Sequence, residues 1–447
     1  MSNAAPHSPG IAREAQPHVQ WNFWMCVWNG AVVTMGTALF AAETVLAGLA
    51  YRLTESSFYV GLLISLGAIG WLWPQIMVGH FVESVRRKMP VYGASALIRF
   101  TSLLLMAAAV YAWDGPPMAL YFILLALFTI FSSAGGVCVV PFMDIMAKTV
   151  PHGRIPMVLA YRRMFGGFLG VLAGALAAYI LSARSGIGYP GQYALLILLG
   201  ALLNGAAYYM FYSVREPADP SPPARTSFGA FLKRGPAIFR DDGDYRKLYF
   251  YRCVWAFGAM SQAVFVPFAL DRLQAPESYT GWFAGVVMLS GGIAGILWGK
   301  AAQRHGEVRT LRWSAIVLFM APLTALLLAI GLRLPGASSW VAEYYLWPCL
   351  FMFAVGKGAV HGAEISWTVY VLSLAPGGRR PTYVAFMNAL TVPVLFAPTA
   401  AGYIAQRFSY EAAFTVSCAA ALLALAIALR MRQRAPREPD GDGEHAA

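Results

Sequence analysis

Three ionisable side chains lie in one otherwise apolar stretch, FAVGKGAVHGAEISW, at residues 353–367. Lys357, His361 and Glu364 are spaced i, i+4 and i+7, which puts them on one stripe of an α-helix about 10 Å long. Each could bind a charged solute or carry a proton. A charge at the centre of a membrane helix costs roughly 2.5–3.5 kcal/mol. We therefore expect this charged stripe to face a wet cavity or other helices.

A structural role would account for the same residues. His361 and Glu364 could pair with each other, and Lys357 could donate to a backbone carbonyl. Gly358 and Gly362 would then form a G-x-x-x-G pattern that lets two helices approach closely. The sequence leaves both interpretations open.

Glu43, in the stretch LFAAETVL, is a fourth ionisable group inside an apolar segment. It is a candidate for solute or proton binding together with the charged stripe. The alternative is an acid near the outer vestibule, or one paired with Arg52. Neutral polar candidates, more often contacts between helices than ligands, are Asn29, Asn204, Gln262 and Asn388.

The composition is that of a membrane protein. Of the 447 residues, 58% are hydrophobic and 12% are charged, against about 25% charged in soluble proteins. The five cysteines all fall in apolar segments, so neither a disulfide framework nor a metal site is indicated. Apolar runs of about 20 residues recur along the chain and predict an all-α polytopic protein with twelve transmembrane helices. The predicted spans are 22–51, 58–82, 91–113, 118–147, 158–182 and 191–213, then 248–270, 279–300, 311–333, 343–374, 382–406 and 410–431.

These spans divide the chain into two bundles of six helices. The predicted parts are a cytoplasmic tail at 1–21, a first bundle at 22–213, a cytoplasmic linker at 214–247, a second bundle at 248–432 and a disordered tail at 433–447. The linker opens with the proline-rich REPADPSPPAR, which cannot be helical. Phe228, Phe231 and Leu232 follow beside basic residues, a pattern that suits either a short helix on the membrane surface or a solvated linker.

The basic residues indicate the orientation. Five of the 33 lysines and arginines fall in the loops on one side of the predicted spans, namely Arg52, Arg184, Arg272, Arg333 and Arg407. Arg99 and Lys357 lie inside spans, and the rest belong to the termini and to loops, or their flanks, on the other side. Because short cytoplasmic loops are enriched in basic residues, we expect both termini to be cytoplasmic and the protein to lie in the inner membrane. The net charge of +12 is then a matter of topology and does not indicate nucleic-acid binding.

Two loop motifs occur twice. PHGRIP at 151–156 follows span four and PGGRRP at 376–381 follows span ten, 225 residues later. GHFVESVRRK at 79–88 and GKAAQRHGEVR at 299–309 follow spans two and eight. Such repetition indicates two halves in parallel register. At the 225-residue offset the charged stripe corresponds to Ser132, Gly136 and Val139, so the stripe has no counterpart in the first half, which favours a specific role.

This pattern resembles the major facilitator superfamily, in its bacterial-type members, over residues 22–431. The family's loop after span two typically reads Gly-x-x-x-Asp-Arg-x-Gly-Arg-Arg or Lys. Here Gly79, Arg87 and Lys88 match, and Glu83 replaces the aspartate. The second copy has Gly299, Arg304, Gly306 and Arg309, with Gln303 at the acidic position.

The resemblance implies that these loops form a gate on the cytoplasmic side. Glu83 would pair with Arg86, Arg87 or Arg154, and Asp144 with Arg99 or Arg162; alternatively, these charges only anchor helix ends at the headgroups. The gating candidates are Gly79, Glu83, Arg87, Lys88, Arg99, Asp144, Arg154, Gly299, Arg304, Gly306, Arg309 and Arg379.

The resemblance also implies a secondary active transporter that works by alternating access, with spans one, four, seven and ten around a central cavity. Lys357 suggests an anionic or carboxylate-bearing solute, and His361 and Glu364 suggest coupling to H⁺. We expect no enzyme activity, no cofactor, no ATP-binding motif, no nucleic-acid partner and a functional monomer in the lipid bilayer. The alternatives are an exporter of amphipathic drugs or metabolites whose Glu43 binds cations, and a non-transporting receptor or assembly factor on the same fold.

The topology can be tested with one cysteine. We expect Ser221→Cys, in the predicted cytoplasmic linker, to react with a membrane-impermeant thiol reagent only after the membrane is broken, because basic loops stay inside. Ser185→Cys, in a loop on the opposite side, is the control and should react in intact cells. Labelling of Ser221→Cys in intact cells would contradict the predicted orientation.

Overall fold

The computed structural model describes residues 17–83, 85–218, 238–375 and 380–433. Of residues 76–83, 152, 380–382 and 385, only the backbone is described. Within this part of the chain the regular elements are all helices, and they form the twelve predicted spans in two halves of six. The predicted surface helix around Phe228, the gating candidate Arg379 and the C-terminal tail from 434 lie outside the described residues.

The first half comprises six spans. Span one is divided into two helices, Val19–Ala38 and Val45–Thr54, by an interruption at 39–44. The helices of spans two to six are Ser57–Glu83, Met89–Ala112, Pro117–Thr149, Ile155–Ile180 and Gly191–Tyr212. Proline in the first turn starts spans three, four and five, where its missing N–H leaves no hydrogen bond unmade.

The second half repeats this plan with two further interrupted helices. Its helices are Gly243–Ala259 and Phe265–Asp271 for span seven, Tyr279–His305 and Glu307–Gly331 for spans eight and nine, Leu346–Leu374 for span ten, Arg380–Thr391 and Ala397–Arg407 for span eleven, and Tyr410–Leu429 for span twelve. Short 3₁₀ segments, Met260–Val264 and Val392–Phe396, connect the two parts of spans seven and eleven.

Two boundaries differ from the prediction for identifiable reasons. Span seven begins at Gly243 and not near 248, because the Asp242 carboxylate caps the helix by accepting from the N–H groups of Asp244 and Tyr245 at 2.9 and 3.1 Å. Span ten was predicted from residue 343. A separate short helix, Ser338–Tyr344, precedes it instead, and the spanning helix begins at Leu346.

Hydropathy and length alone would have found ten of the twelve spans among the described residues. The two that fall short are spans one and ten. Span one carries Glu43 in its interruption, and span ten carries the charged stripe, whose polar side chains lower its hydropathy. The two spans that fall short are therefore the ones that carry Glu43 and the charged stripe.

The halves meet along two helix pairs, span five against span eight and span two against span eleven. Small residues allow this close approach. A Cβ atom at Gly174 of span five would lie 2.5 Å from the Cα atom of Gly285 of span eight. Gly402 of span eleven lies against Ser57 of span two, and Gly281 of span eight lies against Ala178 of span five. The two contacts are equivalent, because Gly281 follows Ser57 by 224 positions and Gly402 follows Ala178 by the same number. The two helix pairs are thus related by the internal repeat.

Polar contacts between the halves are concentrated on the side away from the termini. Arg52 forms an ion pair with Glu277, which also accepts hydrogen bonds from Gln192 at 3.2 Å and Tyr193 at 3.1 Å. Further links on this side are Ser56 with Gln406, Ser57 with Tyr410 and Ser65 with Thr399. In the described residues, no hydrogen bond or ion pair between the halves lies on the side of the termini. The structure is closed on the side opposite the termini.

The close contact between spans five and eight predicts a stability effect. We expect Gly174→Ala to destabilise the protein by about 1–3 kcal/mol, because its methyl group would collide with the backbone of Gly285. The control is Gly299→Ala on span eight, where a Cβ atom has no neighbour within 4 Å and helix propensity favours alanine by up to about 1 kcal/mol. Thermal unfolding of the purified protein measures both. Equal midpoints for the two variants would contradict the packing.

Candidate functional site

The glycine pair Gly358 and Gly362 and the charged stripe make different contacts in span ten. Trp298 of span eight donates its indole N–H to the Gly358 carbonyl at 2.8 Å, and its ring covers Gly362. The glycine pair therefore packs span ten closely against span eight, as the G-x-x-x-G pattern allowed. Lys357 lies near the middle of the 29-residue helix and is not part of this glycine contact.

Lys357 forms an ion pair across the interface between the halves. Its Nζ atom lies 3.5 Å from Oε1 of Glu43, in the interruption of span one. The two side chains are 24% and 38% exposed, so solvent can reach the pair. The alternative pairing of Glu43 with Arg52 is wrong, because Arg52 binds Glu277.

His361 and Glu364 lie beside this ion pair without a hydrogen bond between them. The distance from His361 Nδ1 to Glu364 Oε2 is 3.7 Å, which is too long for one. The His361 ring lies against Gly291 of span eight, where a Cβ atom would be 2.9 Å from Nε2. The Glu364 side chain is 52% exposed. Both side chains are therefore accessible to water.

Two arginines that sequence reasoning missed complete this cluster. Arg163 of span five is exposed and lies close enough to interact electrostatically with His361 and Glu364. Arg252 of span seven also acts on Glu364, while its guanidinium donates to Asn388 at 3.2 Å and stacks 4.7 Å from the Trp367 ring centroid. Both arginines lie within predicted spans, but the comparison of basic residues between the two sides groups them with the flanks of the loops.

We call Glu43, Arg163, Arg252, Lys357, His361 and Glu364 the central cluster. It draws on spans one, five, seven and ten and so on both halves. It contains three cationic side chains and two carboxylates. After Lys357 and Glu43 neutralise each other, two guanidinium groups face one carboxylate. The excess of positive charge suits a solute that carries a negative group.

The gating candidates Lys88 and Asp144 come together, with partners that the sequence did not indicate. Lys88 Nζ lies 3.1 Å from Asp144 Oδ2, and Lys148 Nζ lies 2.5 Å from the same oxygen. Glu216 accepts hydrogen bonds from the N–H groups of Lys88 and Met89 at 2.7 to 3.0 Å. These charges stabilise the start of span three within the first half.

The proposed pairing of Asp144 with Arg99 or Arg162 is therefore wrong. Arg99 is buried among aromatic rings, with its guanidinium 4.5 Å from the Phe131 centroid. Arg162 donates to the carbonyl of Cys26 at 2.6 Å and to Asn29 at 3.1 Å. Both arginines cross-link helices of the first half.

The other gating candidates lie on the side of the termini. Arg87, Arg154, Arg304 and Arg309 are exposed and form no ion pair within the described residues. Gly306 starts span nine with φ 83°, a conformation that favours glycine. Only the backbone of Gly79 and Glu83 is described, and Arg379 lies outside the described residues, so the pairing of Glu83 stays a prediction.

The sequence matches the family model described as Major Facilitator Superfamily over residues 28–391 and again over residues 248–447. No curated protein matches it at a significant level.

Solved structures show the same fold at low sequence identity. A mutant of the nucleoside transporter NupG has a TM-score of 0.67 at 13% identity, with 91% of this chain and 99% of that chain covered. The xylose transporter XylE from E. coli, in a partially occluded inward-open conformation, has a TM-score of 0.64 at 12% identity, with 93% and 100% covered. An inward-facing bacterial homologue of the iron transporter ferroportin has a TM-score of 0.55 at 18% identity, with 94% and 99% covered. At these identities the likeness concerns the fold alone.

A double-mutant cycle tests the central ion pair. We expect Glu43→Gln and Lys357→Met each to destabilise the protein by about 1–3 kcal/mol, because each leaves the other charge without its partner. The double variant should lose less than the sum, by about 0.5–3 kcal/mol.

The control cycle uses Arg333→Met and Glu411→Gln, which break an ion pair of 2.6 Å whose arginine is 66% exposed. This pair should contribute about 0–1 kcal/mol. Denaturant unfolding of the four variants and two double variants measures both couplings. Strictly additive losses at Glu43 and Lys357 would contradict an energetic link between the halves.

Proposed function

The chain belongs to the major facilitator superfamily, and we propose that it is a secondary active transporter of a small anionic or carboxylate-bearing solute, coupled to H⁺. The observation that carries this proposal is the ion pair between Lys357 and Glu43, which joins the two halves at the centre of the protein. Transporters of this architecture bind their substrates near the middle of the membrane, at the interface of the two repeats, and this membrane-embedded ion pair lies at that interface.

The solute would compete with Glu43 for Lys357. A carboxylate or other anionic group can take the place of the Glu43 carboxylate, because both present the same charge to the ammonium group. Arg163 and Arg252 add positive charge from the two halves. Binding of the solute would therefore replace a contact between the halves by contacts to the solute, and so permit the halves to move.

Glu364 would carry the coupling proton, with His361 tuning or relaying it. The Glu364 side chain is half exposed in the observed conformation. When the halves close around the site, water leaves and a charged carboxylate loses its hydration. Uptake of a proton removes that penalty, so proton binding and conformation are coupled even without a direct contact between proton and solute.

The observed contacts support alternating access. The halves are linked by hydrogen bonds and an ion pair on the side opposite the termini, and the described residues form no such link on the side of the termini. With both termini in the cytoplasm, as we propose from the basic loops, this arrangement is the inward-facing state of a monomer in the inner membrane. The exposed arginines of the loops would then form their gate contacts when the inner side closes.

The cation exporter is the weaker alternative. It requires Glu43 to bind a cationic solute, yet the structure pairs Glu43 with Lys357, and the central cluster as a whole has an excess of positive charge. A non-transporting receptor on the same fold would bind a ligand without moving it, and flux into liposomes distinguishes the two.

Transport by purified protein in liposomes tests the proposal. A thermal-shift screen of metabolites, weighted toward carboxylates, first identifies a solute that stabilises the protein. With that solute, Glu364→Gln should abolish accumulation driven by a pH gradient but retain solute-for-solute exchange. Lys357→Ala should weaken solute binding at every pH.

Exposed residues outside the central cluster provide the controls. Glu343→Gln and Lys300→Ala make the same changes at exposed positions and should leave flux and binding within about twofold. If Glu364→Gln unfolds the protein while Lys357→Ala combined with Glu364→Gln restores stability and transport, the charged stripe is a structural ion pair and the proposal is wrong. Binding without flux would favour the receptor.

A further inference from the structure

Two adjacent cavities lie at the surface of the first half, at the end of the protein that carries the termini. The first, of about 780 Å³, lies beside the loop before span three and the segment that follows span six. The second, of about 570 Å³, is a groove between spans three and six. Pro90, Tyr209 and Tyr212 line both, so the two cavities form one continuous surface.

The first cavity is basic and aromatic. Arg87 and Arg215 line it with His18 and Trp21, and all four are exposed. Neither arginine side chain forms an ion pair with any residue that the structure describes. Basic pockets at the membrane surface bind the headgroups of anionic lipids. Tryptophan and tyrosine are enriched at the same membrane–water interface.

Glu216 also lines this cavity, but it does not cancel the positive charge at the surface. Its side chain is 3% exposed, and its carboxylate is occupied by the N–H groups at the start of span three. Trp21 is fixed by a hydrogen bond from its indole to the Ser213 carbonyl at 3.3 Å. The accessible charge of the cavity is therefore that of the two arginines.

The groove that continues from it is apolar. Gly93, Ala94, Gly205 and Ala206 keep it open between the two helices, and Leu97 and Phe100 line its far end. It extends over residues 90–100 of span three and 202–212 of span six, which is about 15 Å of helix. The hydrocarbon of one leaflet of a bilayer is also about 15 Å thick.

We propose that this surface binds one anionic phospholipid, with its phosphate between Arg87 and Arg215 and one acyl chain in the groove between spans three and six. The charge and the aromatic rings lie at one end, the apolar groove at the other, and the groove matches the length of a lipid chain. Lipid from the leaflet on the side of the termini is the occupant, because a free phosphate would leave the apolar groove unused.

The place of this site gives the lipid an effect on the loop between spans two and three. Arg87 belongs to that loop, and Glu216, which lines the same cavity, holds the N–H groups of Lys88 and Met89. A bound headgroup would thus neutralise an exposed arginine next to the gating candidates. This inference does not depend on which solute the protein carries.

Native mass spectrometry of the purified protein tests the site. The protein is mixed with equal amounts of phosphatidylglycerol and phosphatidylcholine, and the lipid adducts are counted. We expect one retained phosphatidylglycerol. Each arginine should contribute about fivefold in affinity, so Arg87→Gln combined with Arg215→Gln should weaken phosphatidylglycerol binding by about 25-fold. Arg430→Gln combined with Arg432→Gln, exposed at the same end of the second half, is the control.

A second pair of variants tests the groove. Ala206→Trp fills it and should reduce binding of phosphatidylglycerol and phosphatidylcholine alike, whereas Ala108→Trp, exposed elsewhere on span three, should not. Glycerol phosphate, which has the charge without the chains, should not displace the lipid. Equal adducts in the arginine variants and their control, displacement by glycerol phosphate, or a dimer that Ala206→Trp converts to monomer would each overturn the proposal.

Discussion

The ion pair between Lys357 and Glu43 is the interaction on which the arrangement of the two halves depends. Glu43 lies in the interruption of span one and Lys357 in span ten, both within largely apolar segments where an unpaired charge is costly. Because the partners belong to different halves, the relative position of the halves decides whether both charges are neutralised. Any movement that separates them must supply another partner, which can be water, a proton or a charged solute. Because each charge needs a replacement partner when the pair separates, movement of the halves is coupled to the binding of that partner.

The contacts on the side opposite the termini are of a different kind. Glu277 accepts from Arg52, Gln192 and Tyr193 near the ends of helices, and the Arg52 and Glu277 side chains are 40% and 26% exposed to water. Such exposed links are individually weak and can be exchanged for hydration at little cost. They can hold that side closed without making the closed state permanent. The ion pair between Lys357 and Glu43, inside the membrane-spanning part, and the contacts at the helix ends therefore have separate tasks.

The sequence allowed the helices to be predicted much better than their contacts. Apolar runs predicted twelve spans, including spans one and ten, which mean hydropathy and helix length alone would miss, and the internal repeat indicated two halves. Spacing also placed Lys357, His361 and Glu364 on one face, because that relation lies within a single helix. It could not show that Lys357 meets Glu43, that Asp144 binds Lys88 and Lys148, or that Arg163 and Arg252 reach the centre. Those relations depend on how separate helices cross, and a count of charges near helix ends concealed the two arginines.

The distribution of charge on the side of the termini is in keeping with the lack of polar contacts there between the described residues of the two halves. Lys88, Asp144 and Glu216 are satisfied within the first half, so they offer no attraction to the second. The exposed arginines that remain, Arg87 in one half and Arg304 in the other, carry the same charge. Bringing these loops together would concentrate positive charge, which favours separation until an acidic group or a bound anion intervenes. Pairing of charges within each half thus accounts for the lack of polar contacts between the described residues of the two halves on this side, and negative charge between the halves would favour their approach.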